Sequence, residues 1–147
     1  MHVTITTNAQ NQVGIVARHD AVLKELGQQQ AAEDVDYPDM IHQFQSLTDL
    51  DPQNRTYHLQ LATLAGQYAY QTNAAADIEG AIEAHRDALE LMLHLAVGWS
   101  NLASLYWQAG DIAAATEAAA TAVRYANEWP LPHWQYWAYS TSRRLPC

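Results

Sequence analysis

The sequence holds a single cysteine, Cys147, so an intrachain disulfide and a cysteine-built zinc site are both excluded. Charge is scarce as well: Asp, Glu, Lys and Arg make up 16% of residues, against a usual quarter. Basic residues are the scarcest, with 7 Lys and Arg facing 16 Asp and Glu, for a formal net charge of −9. That balance argues against nucleic acid or an anionic membrane as the main partner. No stretch is long and apolar enough to span a bilayer, so no direct membrane insertion is expected. The opening residues, Met1 to Asn8, lack the basic segment and apolar run of a signal peptide. The expected location is cytoplasmic.

The residue patterns of common chemistry are missing too. There is no glycine-rich phosphate loop and no Gly-x-Ser-x-Gly. Seven histidines are scattered, no two of them three or four residues apart, and no His-Glu-x-x-His occurs. A zinc site would need three or four of them to converge from separate helices, so isolated imidazoles are the better reading. Glu79, Glu83, Asp87 and Glu90 follow one another along a helical face near Arg86 and read as a solvated outer surface. Between Asp20 and Asp51, eight acidic residues face only Lys24. Loop solvation explains that excess more simply than a docking surface for a basic partner. No catalytic, metal or cofactor residue is expected, and the chain does not read as an enzyme.

Apolar residues are abundant, at 49%, and many are alanine, which favours closely packed helices over a sheet. Trp99, Leu102, Ala103 and Tyr106 lie on one helical stripe. The three large residues supply bulk, and Ala103 is small enough to let a neighbouring helix approach. Gly110 suits the position just past a helix end, where a positive φ is often needed. Asp111 suits the N-cap of the helix that follows. Ala115, Ala118, Ala119 and Ala122 give that second helix a smooth face.

This segment resembles the tetratricopeptide repeat (TPR), a helical hairpin of about 34 residues with the pattern Trp-x2-Leu-Gly-x2-Tyr, then Ala-x3-Phe, then Pro. Trp99, Leu102, Tyr106 and Ala115 stand at the repeat's spacings. Ala103 replaces the Gly, Ala119 replaces the Phe, and the Pro arrives late as Pro130. An ordinary helical hairpin from an unrelated bundle is the alternative. The resemblance implies an all-α fold: about three helix-hairpin repeats plus a C-terminal capping helix, in a right-handed superhelix.

The expected organisation is a flexible tail over 1–11 and one domain over 12–144. Repeats are expected at about 20–54, 55–95 and 96–129, with a capping helix over 132–143. In the first repeat, Leu26-Gly27 resembles the Leu-Gly pair, and the polar residues 28–30 and 33–36 suggest a long loop. Tyr37-Pro38 fits a helix start, followed by the stripe Met40, Ile41, Phe44, Leu47 and Leu50. In the middle repeat the stripe is Tyr57, Leu61, Ala62, Leu64, Ala65 and Tyr68. Asp77 fits the next N-cap, and His85 takes a large-residue position. This repeat exceeds the consensus by about seven residues, an excess that two extra helical turns around Gly66–Thr72 would absorb. In the capping helix, Trp134, Trp137 and Ala138 should pack on the helix containing Ala115–Val123.

In TPR proteins the first helices of the repeats line a concave groove that holds peptides or partner helices. Projected here, the groove offers Gln60 with Leu59 and Thr63, then Val97, Ser100, Asn101, Ser104, Trp107 and Gln108, then Gln135, Tyr136, Tyr139 and Arg143. It is neutral and rich in amides and aromatics. TPR domains that clamp the C-terminal carboxylate of chaperones use Lys, Arg and Asn, and only Asn101 resembles a member of that set. The leading expectation is therefore a scaffold for a protein or peptide. A second is a homodimer through Trp129, Tyr136 and Tyr139 of the aromatic terminal helix. A third is the TPR tail of a larger bacterial membrane-associated protein, because the Trp-x-Asn-Leu-Ala-x-Leu-Tyr phrasing is similar to such tails on membrane glycan polymerases.

Overall fold

The computed structural model describes residues 2–128, with side-chain surroundings given for Gly14 and from Ala17 onward. The described residues form six α-helices and no strand: α1 (His2–Ala31), α2 (Tyr37–Leu50), α3 (Arg55–Thr72), α4 (Ala75–Leu91), α5 (Ala96–Ala109) and α6 (Ile112–Glu128). The fold is all-α. The expected capping helix over 132–143, with Trp134, Trp137 and Ala138, lies outside the described residues. The chain divides into two compact units, one ending at Tyr57 and one beginning at His58.

In the first unit, α1 and α2 pack on each other. The helical backbone begins at His2, so residues 2–11, expected as a flexible tail, belong to α1. The β-branched run Val3-Thr-Ile-Thr-Thr disfavours nucleating a helix, but adding residues to an existing one is cheaper than starting one. Residues 28–30 are also helical, and the turn is confined to residues 32–36. Glu33 takes the left-handed conformation at φ 56°, and the Asp34 N–H reaches back to the Gln29 carbonyl at 3.0 Å, closing the helix end. The Asp36 side chain then caps α2 by accepting from the Asp39 N–H at 3.2 Å, with Pro38 in the first turn.

Met40, Phe44 and Leu47 on α2 are fully buried, with Ile41 half-buried beside them. Leu50, expected on the same stripe, is exposed because the helix ends there. Leu26 is buried, whereas Gly27 is exposed and has no neighbour where a Cβ would stand, so the pair does not mark a close helix approach. Across the hairpin, the Gln43 carboxamide donates to Glu25 at 3.3 Å. Asn54 caps the start of α3 by accepting from the Tyr57 N–H at 3.2 Å. The buried Tyr57 ring meets His19 edge-on at 4.8 Å. Burial, and then the charges of Asp51 and Asp20, push the Tyr57 hydroxyl pKa above its ordinary value.

In the second unit, α5 packs on both α4 and α6. The α3 stripe of Leu61, Ala62, Leu64 and Ala65 is buried as expected, but it continues through Ala69, and Tyr68 is only half-buried. α3 has 18 residues and α5 has 14, so α3 is longer by 18 − 14 = 4, one extra turn rather than two. The start of α4 also differs from expectation. Its N-cap is Ala74, which offers no side-chain bond, and Asp77 falls within the first turn, accepting from the Thr72 hydroxyl at 2.8 Å. The run Ala74-Ala75-Ala76 has high helix propensity and moves the start ahead of the better capping residue. A carboxylate in the first turn still favours the helix dipole.

The α5–α6 turn follows the sequence reading. Gly110 is left-handed at φ 85°, and the Asp111 N–H bonds the Tyr106 carbonyl at 2.9 Å. The Asp111 side chain accepts from the Ala114 N–H at 3.1 Å. Ala103 is completely buried, and Ala115, Ala118 and Ala122 line the buried side of α6, with Ala119 half-buried. Ala96, Ala122, Tyr125 and Ala126 form a core with Val97 and Trp99 packed against it.

Candidate functional site

Helices α3 and α5 meet at their C-terminal ends. The Gln108 carboxamide donates to the Ala69 carbonyl at 2.9 Å and to the Asn73 side chain at 3.1 Å. Asn73 is left-handed at φ 50°, and its N–H bonds the Ala69 carbonyl at 2.9 Å, so one carbonyl serves both the helix end and the bridge. Both Nε2 protons of Gln108 are used, which leaves only its amide oxygen for a ligand. Gln108 thus ties the two helices together.

The other expected groove residues differ in access. Trp107 is 41% exposed, and Gln60, Asn101 and Ser104 are half-buried. The Ser104 hydroxyl donates to the Ser100 carbonyl at 3.3 Å. Ser100 itself was expected on the open face and is 1% exposed. It shares the inner stripe with Ala96 and Ala103, and the buried arc of α5 is wide because helices pack on more than one side of it. Its hydroxyl has no hydrogen-bond partner among the described residues. Gln135, Tyr136, Tyr139 and Arg143, with Trp129, lie outside the described residues.

The two kinds of helix differ sharply in charge. From His58 to its end, α3 contains no Asp, Glu, Lys or Arg, and α5 contains none at all. The uncharged surface nevertheless includes large apolar groups: Leu59 is 42% exposed and Tyr70 is 81% exposed. Leu59, Thr63 and Tyr70 follow helical spacing along α3 and are all exposed. The charged residues fall on α4 and α6 instead, where Glu79, Glu83, Arg86, Asp87, Glu90, Glu117, Arg124 and Glu128 are all exposed.

Between α4 and α6 the structure holds a half-open cleft of about 370 Å³ whose floor is α5. Trp99, Leu102 and Tyr106 form that floor; Leu89 and Leu93 stand on the α4 side, Ala114 and Ala118 on the α6 side. Arg86, Glu90, Glu117 and Thr121 supply its polar groups. Trp99 and Tyr106, expected as inward bulk, are only half-buried here because the cleft uncovers them. The Trp99 ring is fixed by donation from its Nε1–H to the Leu93 carbonyl at 2.9 Å and lies 6.3 Å from the Tyr125 ring. The sequence held no separate signal for this cleft, since its floor uses the residues that identify the repeat.

His85 has a displaced pKa. It is buried on α4, its Nδ1 donating to the Ala81 carbonyl at 2.8 Å in the tautomer that places the proton there. Burial pushes its pKa below 6.5, and the bond to Ala81 opposes that shift in part. Gly66 leaves room for the ring, since a Cβ there would stand 3.3 Å from the His85 Cε1 atom. Among the described residues no group of three or more His, Cys, Asp or Glu could hold a metal ion. None of the described helices is long and apolar enough to cross a membrane. No family model and no curated protein matches the chain.

Proposed function

We propose that this chain is a TPR-like, non-enzymatic scaffold that binds a protein or peptide along the outward faces of α3 and α5. The Trp99–Ala119 spacing, the Gly110-Asp111 turn and the succession of helix pairs support the repeat reading. On that reading the repeats stack in a right-handed superhelix and these faces line its concave side. One observation carries the functional reading. α3 beyond Tyr57 and α5 are without charge, yet they present Leu59, Tyr70 and Trp107 to solvent. Exposed apolar groups clustered on one face mark interaction surfaces, and aromatics are enriched at them.

The face suits a segment with aromatic or aliphatic side chains, its backbone meeting amides and hydroxyls such as Gln60, Asn101 and Ser104. It does not suit the acidic carboxylate tail of a chaperone, since no Lys or Arg stands on α3 beyond Tyr57 or on α5. The test is selection of peptides from a random displayed library, followed by titration calorimetry of the selected sequences. Selected peptides should bind the wild type and lose about tenfold or more in affinity with Trp107→Ala. Peptides that bind Trp107→Ala equally well, or specific micromolar binding of an acidic chaperone-type tail, would contradict the proposal.

A further inference from the structure

The cleft between α4 and α6 lies apart from the uncharged face and has a different chemistry. Its floor is aromatic, with Trp99 and Tyr106 half-buried, and its walls are a leucine side on α4 and an alanine side on α6. Alanine walls let another chain approach closely. Glu90 and Glu117 stand on opposite walls, and Arg86 is the single cation among the described residues lining it. α4 also carries the exposed Glu79, Glu83 and Asp87. The cleft is thus an apolar trough with an acidic border, within a protein of net charge −9.

We propose that this cleft binds a basic amphipathic segment of a partner protein. An apolar side chain of that segment rests on Trp99 and Tyr106 between the leucine and alanine walls, and flanking Lys or Arg side chains pair with Glu90 and Glu117. Burial of the apolar side chain supplies most of the affinity. The carboxylates steer the approach and fix orientation, which is what complementary rim charges do best. An acidic segment is repelled by the same border. The inference does not depend on the α3–α5 groove, because none of the groove residues lines this cleft.

The probe is a fluorescein-labelled helical peptide of leucine and lysine, with a leucine–glutamate counterpart as control, titrated against the full chain by fluorescence polarisation. The Leu/Lys peptide should bind at micromolar concentration and the Leu/Glu peptide should not. Glu90→Lys/Glu117→Lys should weaken binding by about tenfold or more. Asp34→Lys/Asp49→Lys makes the same change in net charge at exposed residues that do not line the cleft and should have an effect of about threefold or less. Ala114→Phe fills the cleft from a half-buried position and should weaken binding while leaving the helical circular dichroism intact.

Equal losses from the two charge reversals, full binding by Ala114→Phe, or no binding by the wild type would each overturn the proposal. So would a wild-type dimer in sedimentation that Ala114→Phe abolishes, since the occupant would then be a second copy. Trp107→Ala should leave Leu/Lys binding unchanged. A loss there would place the peptide on the α3–α5 face, overturning this inference while leaving the proposed function standing.

Discussion

Helices α3 and α5 differ from α4 and α6 in a way that composition alone conceals. The former carry no charged residue beyond Tyr57, and the latter carry Glu79, Glu83, Arg86, Asp87, Glu90, Glu117, Arg124 and Glu128. A surface helix usually sets an apolar stripe against a charged face. α4 and α6 follow that pattern. α5 does not: opposite its buried Leu102 and Ala103 stand amides, hydroxyls and Trp107. Charge would be the simplest way to keep such a face wet. Its omission from both α3 and α5, while α4 and α6 keep theirs, separates a face suited to binding from faces suited to water.

The largest effect should come from breaking the packing that holds the two kinds of helix together. Ala103 is completely buried on α5. Ala103→Trp should cost about 3 kcal/mol or more, because a large ring forces buried side chains and backbone apart. Chemical denaturation would show it as a fall in midpoint, and a variant that unfolds like the wild type would mean Ala103 stands at no close helix contact.

A smaller effect belongs to His85 and depends on pH. Its folded-state pKa lies below 6.5, so the unfolded chain takes up a proton first as pH falls. His85 therefore contributes its full stability above about pH 6.5 and loses it as pH falls toward the lower folded value. His85→Leu should flatten that loss when urea unfolding is compared at about pH 7.5 and pH 5.5. An unchanged slope would mean that His85 is not held neutral by burial.

The smallest effect sharpens the view of α5 itself. Ser100 presents a buried hydroxyl without a hydrogen-bond partner among the described residues. Ser100→Ala should stabilise the protein by about 1 kcal/mol, since an unsatisfied buried polar group costs roughly that much and alanine is the better helix former. A loss of stability would show that the hydroxyl has a partner after all.

Local signals with a steric cause were legible in the sequence. Gly110 and Asp111 made the α5–α6 turn, Pro38 marked the start of α2, and Met40, Phe44 and Leu47 formed its buried stripe. Signals that depend on competition between neighbours were not. Asp77 looked like a cap until three alanines moved the helix start ahead of it. Residues 2–11 read as a tail, yet they continue α1. Gly98 carried no signal of its own in the sequence, although a Cβ there would stand 2.9 Å from Leu89 Cδ2, so it marks a close approach of α5 to α4. For the candidate site, the composition of the face was legible and the roles of individual residues were not. Ser100 and Gln108 both read as groove residues; one is buried and the other is committed to joining α5 to α3. No periodicity distinguishes a polar side chain that meets solvent from one that meets the next helix.

Hydrogen–deuterium exchange of the full chain, with and without a library-selected peptide, tests the central claim most directly. The account predicts that protection on binding concentrates in α3 from Leu59 to Tyr70 and in α5 from Val97 to Gln108, with α4 and α6 nearly unchanged. Protection confined to α4 and α6, with α3 and α5 unaffected, would contradict it.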